Sequence, residues 1–561
     1  MSRLEHISKI PSPLALLLAL VGCTGTIGDP NAPLENNEPP VPGGPGGLLG
    51  DEPPDPESCA PPEAGLRRLG LSQLEATFAQ LFPGVPVRQE TLAATLANTN
   101  GFTTDSATFA MTTPYVTSLF ELALEVSDTV DLDAIAPCLA EDANEACVEE
   151  FVDDFGRRTF RRPLRAEEQD TYTSFFANEA TASGDANVAA RQTVRRMLMS
   201  PDFLYRTELG AGDEEAVSLT PWELASAISY GVGDAPPDDA LLAKAADGSL
   251  ADPEIAKAEV LRLLDEPERA IGVRRFFREQ FHGDEVGTVS KDSNVFPDFD
   301  EEIAELMVQE RDEFVREVLW ADDGTWQTLM TANYTMANET LADFYGFAHD
   351  GGDEFVRIPK DESRGLLGQG AFLAALATPS ETHIIERGHF IREEVLCGSI
   401  PAPPPSVFDN IEPRAAGQSQ RDWLETQHSV GTCGTCHRQM DPLGFAFENF
   451  DAVGRWRDDD AGNPIDASGA LYDEDGVFVT AFEGASEAAD VLAESQATSQ
   501  CVAVQSFEFV VGRAPTEADA CALYDVNQQF EESGGNLREL FAEQVMSAAF
   551  ALRIRAGDGS R

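Results

Sequence analysis

Basic residues are scarce in this chain: 39 Lys and Arg stand against 98 Asp and Glu, a formal net charge of −59. A surface of that sign repels phosphates instead of neutralising them, so no nucleic-acid partner is expected. The acidic residues are spread along the 561 positions rather than collected in a tail. They read as a solvated surface, with docking of a basic electron-transfer protein as the sharper alternative. Long apolar runs are absent beyond the first two dozen residues, so no later stretch predicts a membrane-spanning helix. Familiar catalytic signatures are missing as well. There is no Gly-x-Ser-x-Gly elbow, P-loop or dinucleotide fingerprint, which leaves hydrolase, NTPase and flavin readings without support. His383, Glu386 and His389 are metal-type residues, but their spacing spreads them around a helix and matches no zincin pattern. Asp473-Glu474-Asp475-Gly476 is too short for a calcium loop. No internal repeat of fixed period is present.

Histidine and cysteine are also sparse, at 7 and 9 residues, which gives weight to the one place where they cluster. Cys433-Gly434-Thr435-Cys436-His437 has the Cys-x-x-Cys-His spacing that attaches a c-type haem. Two thiols one helical turn apart meet the two vinyl groups, and the adjacent imidazole reaches the iron from one face. One covalent haem c is therefore the expected cofactor. A redox dithiol, half a zinc site or a plain disulfide are the rival readings. Zinc would want a second Cys/His pair close by, and a thioredoxin-like dithiol a preceding strand and a βαβ pattern. Neither is evident.

Haem attachment of this type takes place outside the bacterial cytoplasm, and the N-terminus is consistent with export. Arg3 and Lys9 precede the apolar run Leu14 to Val21, which is too short to span a bilayer and ends at Leu20-Val21-Gly22-Cys23. This resembles a bacterial lipoprotein signal over residues 1–22, with Cys23 acylated and the mature chain anchored to a membrane. Residues 23–62, rich in Pro, Gly, Asn and acidic side chains, read as a flexible tether. The rest is long enough for several domains, divided as 63–148, 149–212, 213–350, a haem-attachment domain at 360–460 and a C-terminal domain at 461–561. With Cys23 assigned to lipid and Cys433 and Cys436 to haem, six cysteines remain. Local spacing favours the disulfides Cys138–Cys147 and Cys501–Cys521, with Cys59 and Cys397 left over.

The folded part reads as mainly α. Thr220-Pro221-Trp222-Glu223 combines an N-cap, a proline at the first helical position and the reciprocal acid of a capping box. Asp252-Pro253-Glu254 repeats the device, and Arg191 to Leu204 has the apolar spacing of a further helix. The main β signal is a small hairpin between Ile465 and Phe482. The arginines between Arg157 and Arg165 form the one concentrated basic patch, expected to clamp the protein's own domains together, with docking of an acidic partner as the alternative.

Several longer segments are similar to a known family. They include Phe155-Gly156-Arg157-Arg158-Thr159-Phe160-Arg161-Arg162-Pro163-Leu164 and Ser200-Pro201-Asp202-Phe203-Leu204-Tyr205-Arg206. Asn338 to Gly346, the proline run Pro401 to Pro405, Cys433 to Phe445, Glu448 to Arg457 and Val511-Gly512-Arg513 follow in order. Together they resemble the planctomycete cytochrome c related proteins, large exported bacterial chains built from consecutive domains of unknown function. The resemblance implies an exported, mostly helical, haem-binding electron-transfer protein with no assigned substrate. At Arg67-Arg68-Leu69-Gly70-Leu71-Ser72 the chain departs from the usual Thr-led stretch.

His437 is the proximal ligand by spacing. His428 and Met546 are the leading candidates for a sixth ligand, with His428 favoured slightly because the family tends to carry histidine there. Met440, one turn past His437, falls on the proximal side, and His383 and His389 are further candidates. Arg455 and Arg457, flanking Trp456, are candidate donors to the haem propionates. Three functions fit: single-electron transfer by a lipid-anchored monohaem protein, a haem peroxidase or oxidase acting on an extracellular substrate, and a surface binding or scaffold protein with a structural haem or a disulfide. Two strong axial ligands would favour transfer, and a vacant sixth position would favour catalysis.

Overall fold

The computed structural model describes residues 53–85, 102–104, 111–140, 143–281, 285–360, 365–401, 413–428 and 433–554. The leader, Cys23 and most of the tether lie outside them. Helix accounts for 60% of the described residues and every sheet among them has two strands, so the protein is mainly α. The helices start where their caps predict. Thr220 Oγ accepts from the Glu223 N–H at 3.2 Å and the Glu223 carboxylate accepts from the Thr220 N–H at 2.9 Å, opening helix Pro221–Gly233. Asp252 caps Pro253–Leu264 by accepting from the Glu254 N–H at 3.0 Å. The single helix expected over 191–204 is instead two, Ala186–Leu198 and Pro201–Leu204. Pro201 has no N–H to continue the first helix, and Ser200 accepts from the Asp202 N–H at 3.2 Å to begin the second.

Helices Leu71–Leu81, Thr113–Thr129, Glu145–Phe160 and Ala186–Leu198 enclose one apolar core, with Phe78, Leu119, Phe155 and Val194 fully buried. A larger core joins helices Pro221–Gly233, Ile271–Gln280 and Leu537–Met546 to Phe390, Leu443 and Phe450 of the cysteine-bearing region. The segments expected as separate domains are thus packed together: the described residues form one compact unit, because apolar faces from the middle and the C-terminal segments bury one another.

The basic patch acts locally. Arg161, in a left-handed backbone conformation at φ 59°, donates to the carbonyls of Asp202, Phe203 and Tyr205, tying the end of helix Glu145–Phe160 to residues 202–205. Arg162 grips Glu168 and Asp202.

The disulfides differ from local expectation. Cys138 is joined to Cys147, but Cys501 pairs with Cys397 and Cys521 with Cys59. Spacing suggests short loops, whereas bonding requires Cα atoms within about 7 Å. Cys501 packs beside the segment carrying Cys397, with the two Cα atoms 5.3 Å apart. The 59–521 bond also corrects the tether. Its last residues are fixed, since the Ala60 N–H donates to the Ala518 carbonyl and the Ile554 N–H to the Pro62 carbonyl.

Near that point the two ends of the unit are clasped by charge. Strand Gly65–Arg68 pairs antiparallel with Tyr205–Glu208, and Ala216–Ser218 with Leu552–Ile554. Glu208, 3% exposed, accepts from Arg67 at 2.5 Å and from Arg553, with Arg206 at 3.6 Å. Burial opposes ionisation of Glu208, but the Arg67, Arg553 and Arg206 charges outweigh it and depress its pKa to about 2. A carboxyl depressed from an ordinary value near 4.5 adds stability that is complete above that pH and is lost as pH falls towards 2. The contribution is about 3 kcal/mol at neutral pH. Glu208→Gln should lower the thermal unfolding midpoint strongly at pH 7, and the gap from wild type should shrink as pH falls below 4.5, as followed by circular dichroism.

Candidate functional site

The Cys-x-x-Cys-His motif opens helix Cys433–Phe445, which crosses helix Ile384–Phe390 almost backbone to backbone. Gly388 lies against the Met440 carbonyl and Gly444 against the Ile384 carbonyl, so a side chain at either position would collide with the other helix. Gly469, on strand Ser468–Tyr472, is pressed in the same way against the Pro442 carbonyl. Beneath this crossing Arg387 is fully buried and donates to the carbonyls of Leu373, Phe447, Phe450 and Asp451 at 3.0–3.2 Å. Burial pushes its pKa down to about 10, so it is still charged at neutral pH. It fixes the chain that follows the motif helix. Helix Ile384–Phe390 then widens into a π-type turn, Ile391–Val395, with the Leu396 N–H bonded to the Ile391 carbonyl, just before disulfide-bonded Cys397.

A third helix, Gln420–His428, is set on this pair by Leu424, which packs with Ile384 and Phe445. Arg421 stacks over the Phe445 ring at 4.4 Å and donates to the carbonyls of Asp466 and Ser468. These contacts bring His428 beside His437, with the ring centroids 3.5 Å apart and the planes 21° from parallel. Asp441, one turn after His437, lies between them. Its carboxylate oxygens accept from His428 Nδ1 at 2.6 Å and from His437 Nδ1 at 2.9 Å. Burial would raise the Asp441 carboxyl, but the hydrogen bonds from His428 and His437 outweigh it and hold the group below its ordinary value. The three residues are the one set of potential metal ligands within reach of a single ion among the described residues. They border an open cleft of about 720 Å³ whose walls include Gly434, Arg438, Phe445 and Tyr472.

Cys433 and Cys436 are partly exposed and free, whereas the other described cysteines are paired. The donor set suits a covalently held haem. Two unpaired thiols stand one turn apart, and the neighbouring imidazole has Nδ1 engaged by a carboxylate, which would leave Nε2 free to ligate an iron.

Of the remaining sequence candidates, His428 stands beside His437, with the Nδ1 atoms of both rings bonded to Asp441. Met546 ends helix Leu537–Met546 and packs against the large core. Met440 is buried. His383 caps its own helix, and His389 faces Glu393 at 3.3 Å. Arg457 is committed to Glu448 at 2.8 Å. Arg455 bonds Asp451 and lines a second cleft with Asp343 and Trp456. The basic side chains on the His437 cleft are Arg421 and Arg438 instead. Asp441 was missed in the sequence, although its position four residues after His437 places both on one helix face.

Four models of protein families of unknown function match consecutive segments: DUF1595 over residues 147–208, DUF1592 over 219–347, DUF1588 over 363–460 and DUF1585 over 480–550. They are the planctomycete cytochrome-like series, and the segment holding the motif matches the one labelled PSCyt3. The chain belongs to this multidomain family. No curated protein and no solved structure matches it. Within the family segment at 363–460, the glycine crossing is the contact that sets the motif helix. Gly388→Ala should cost about 1–3 kcal/mol, since the carbonyl it meets is held within a helix. Gly287→Ala, with open space around it, should stay within about 0.5 kcal/mol of wild type. Denaturant titration of both variants measures the contrast.

Proposed function

We propose that this chain is an exported, lipid-anchored, single-haem c-type protein that transfers single electrons. The observation that carries the reading is the pair of free cysteines, Cys433 and Cys436, preceding His437 beside an open cleft, in a chain whose other described cysteines are all paired. Cys433 and Cys436 would hold the haem and His437 would ligate its iron, which supplies a one-electron couple when bound. The protein's own contribution is orientation. The glycine crossing fixes the motif helix, and Asp441 fixes the ring of His437. The cytochrome-like label of the matching family segment supports the same reading.

Anchoring rests on the leader and Cys23. Among the described residues no helix is long and apolar enough to cross a membrane, which is compatible with attachment through lipid. A redox protein would be the partner. A second reading, a haem peroxidase or oxidase, is favoured by the breadth of the cleft.

In a host with c-type haem maturation, wild type should keep haem stain through denaturing electrophoresis. Cys433→Ser combined with Cys436→Ser should lose it entirely while the export yield stays measurable. Stain retained by the double variant would overturn the assignment of these thiols. Labelled palmitate should be incorporated by wild type and not by Cys23→Ser, and equal incorporation would refute the anchor.

A further inference from the structure

Electron transfer through His437 leaves one feature of the site unexplained. Asp441 is a carboxylate only 5% exposed, shared by two imidazoles that stack on each other. A buried anion needs a reason, because removal from water is costly unless hydrogen bonds replace it. Here both oxygens are used, one by each histidine, and the helix places the carboxylate one turn from the ligand rather than on the surface.

We infer that Asp441 is a positioning residue that tunes the haem iron through His437, a step that rests on the haem reading above. By accepting a hydrogen bond from Nδ1–H it fixes the His437 tautomer and keeps Nε2 free for iron. By drawing on that proton it raises the basicity of Nε2. A more basic ligand with a buried negative charge behind it stabilises the more positively charged ferric state over the ferrous one, so the reduction potential is lowered. His428 moderates the effect. It occupies the second carboxylate oxygen at 2.6 Å and so competes with His437 for the same anion. Its ring, 3.5 Å from that of His437, also blocks rotation of the ligand.

The two variants that test this move in opposite directions. Asp441→Asn keeps the shape but removes the charge, and it should raise the potential by at least a tenfold change in the ferric/ferrous balance, about 59 mV for one electron. His428→Phe keeps a stacked ring but releases the second oxygen to His437, and it should lower the potential. Both are measured by spectroelectrochemical titration of the matured full chain, with haem stain after denaturing electrophoresis as the control. Stain in both variants with a rise in the first and a fall in the second supports the inference. Unchanged potentials, or two shifts of the same sign, overturn it. If Asp441→Asn does not mature, His428→Phe decides alone: a fall supports the role and no fall overturns it. Absence of haem from wild type would instead refute the haem reading and is distinguishable from all of these.

Discussion

Everything at the candidate site depends on two helices meeting without side chains between them. Gly388 and Gly444 each lie against a carbonyl of the opposite helix, and Arg387 ties down four carbonyls below the crossing. Such an approach leaves little freedom for the motif helix to roll or slide, so the directions of Cys433, Cys436 and His437 are set by backbone contact. Chemistry that needs an imidazole aimed at one point benefits from that rigidity. The Cys397–Cys501 bond, just beyond the π-type turn, extends the constraint to the C-terminal segment.

The same economy governs charge. With so few basic residues in an acidic chain, several arginines are buried and each gathers several acceptors. Arg161 gathers carbonyls of residues 202–205, Arg387 those around the motif, and Arg67, Arg206 and Arg553 surround Glu208 where the two ends of the unit meet. A guanidinium presents five donors in a fixed plane, which suits it to collecting carbonyls that helix ends leave unpaired. Excess negative charge is left at the surface. Arg161 and Arg387 each work within one family segment, whereas shared apolar faces, the Glu208 clasp and two long-range disulfides join distant parts of the chain.

Local features were legible in the sequence. Thr220 and Asp252 marked helix starts because capping is decided within four residues, and the strands Ser468–Tyr472 and Phe478–Glu483 followed from turn residues and alternation. The motif itself was legible because its chemistry is written in consecutive positions. What was not legible depends on distant partners. Cys501 was assigned to Cys521 by proximity in the chain, yet packing placed Cys397 beside it. The partners of Arg455 and Arg457 were not legible either: the turn after Phe450 sets them against Asp451 and Glu448. His428 was known as a histidine near the motif. Its place beside His437 comes from Leu424 and Arg421, whose contacts no spacing encodes. Asp441 lay within reach of sequence reasoning, since four residues on a helix bring it under His437.

The central claim is that this scaffold holds one haem through Cys433 and Cys436 with His437 on the iron. An alkaline pyridine haemochrome spectrum of the purified, exported protein tests it most directly, read together with the haem-to-protein ratio. The account predicts an α band at the position of a haem joined by two thioethers and a ratio of one. A protein exported in good yield with no such band would contradict it and leave the two thiols and the His428, His437 and Asp441 group to a disulfide or a metal ion.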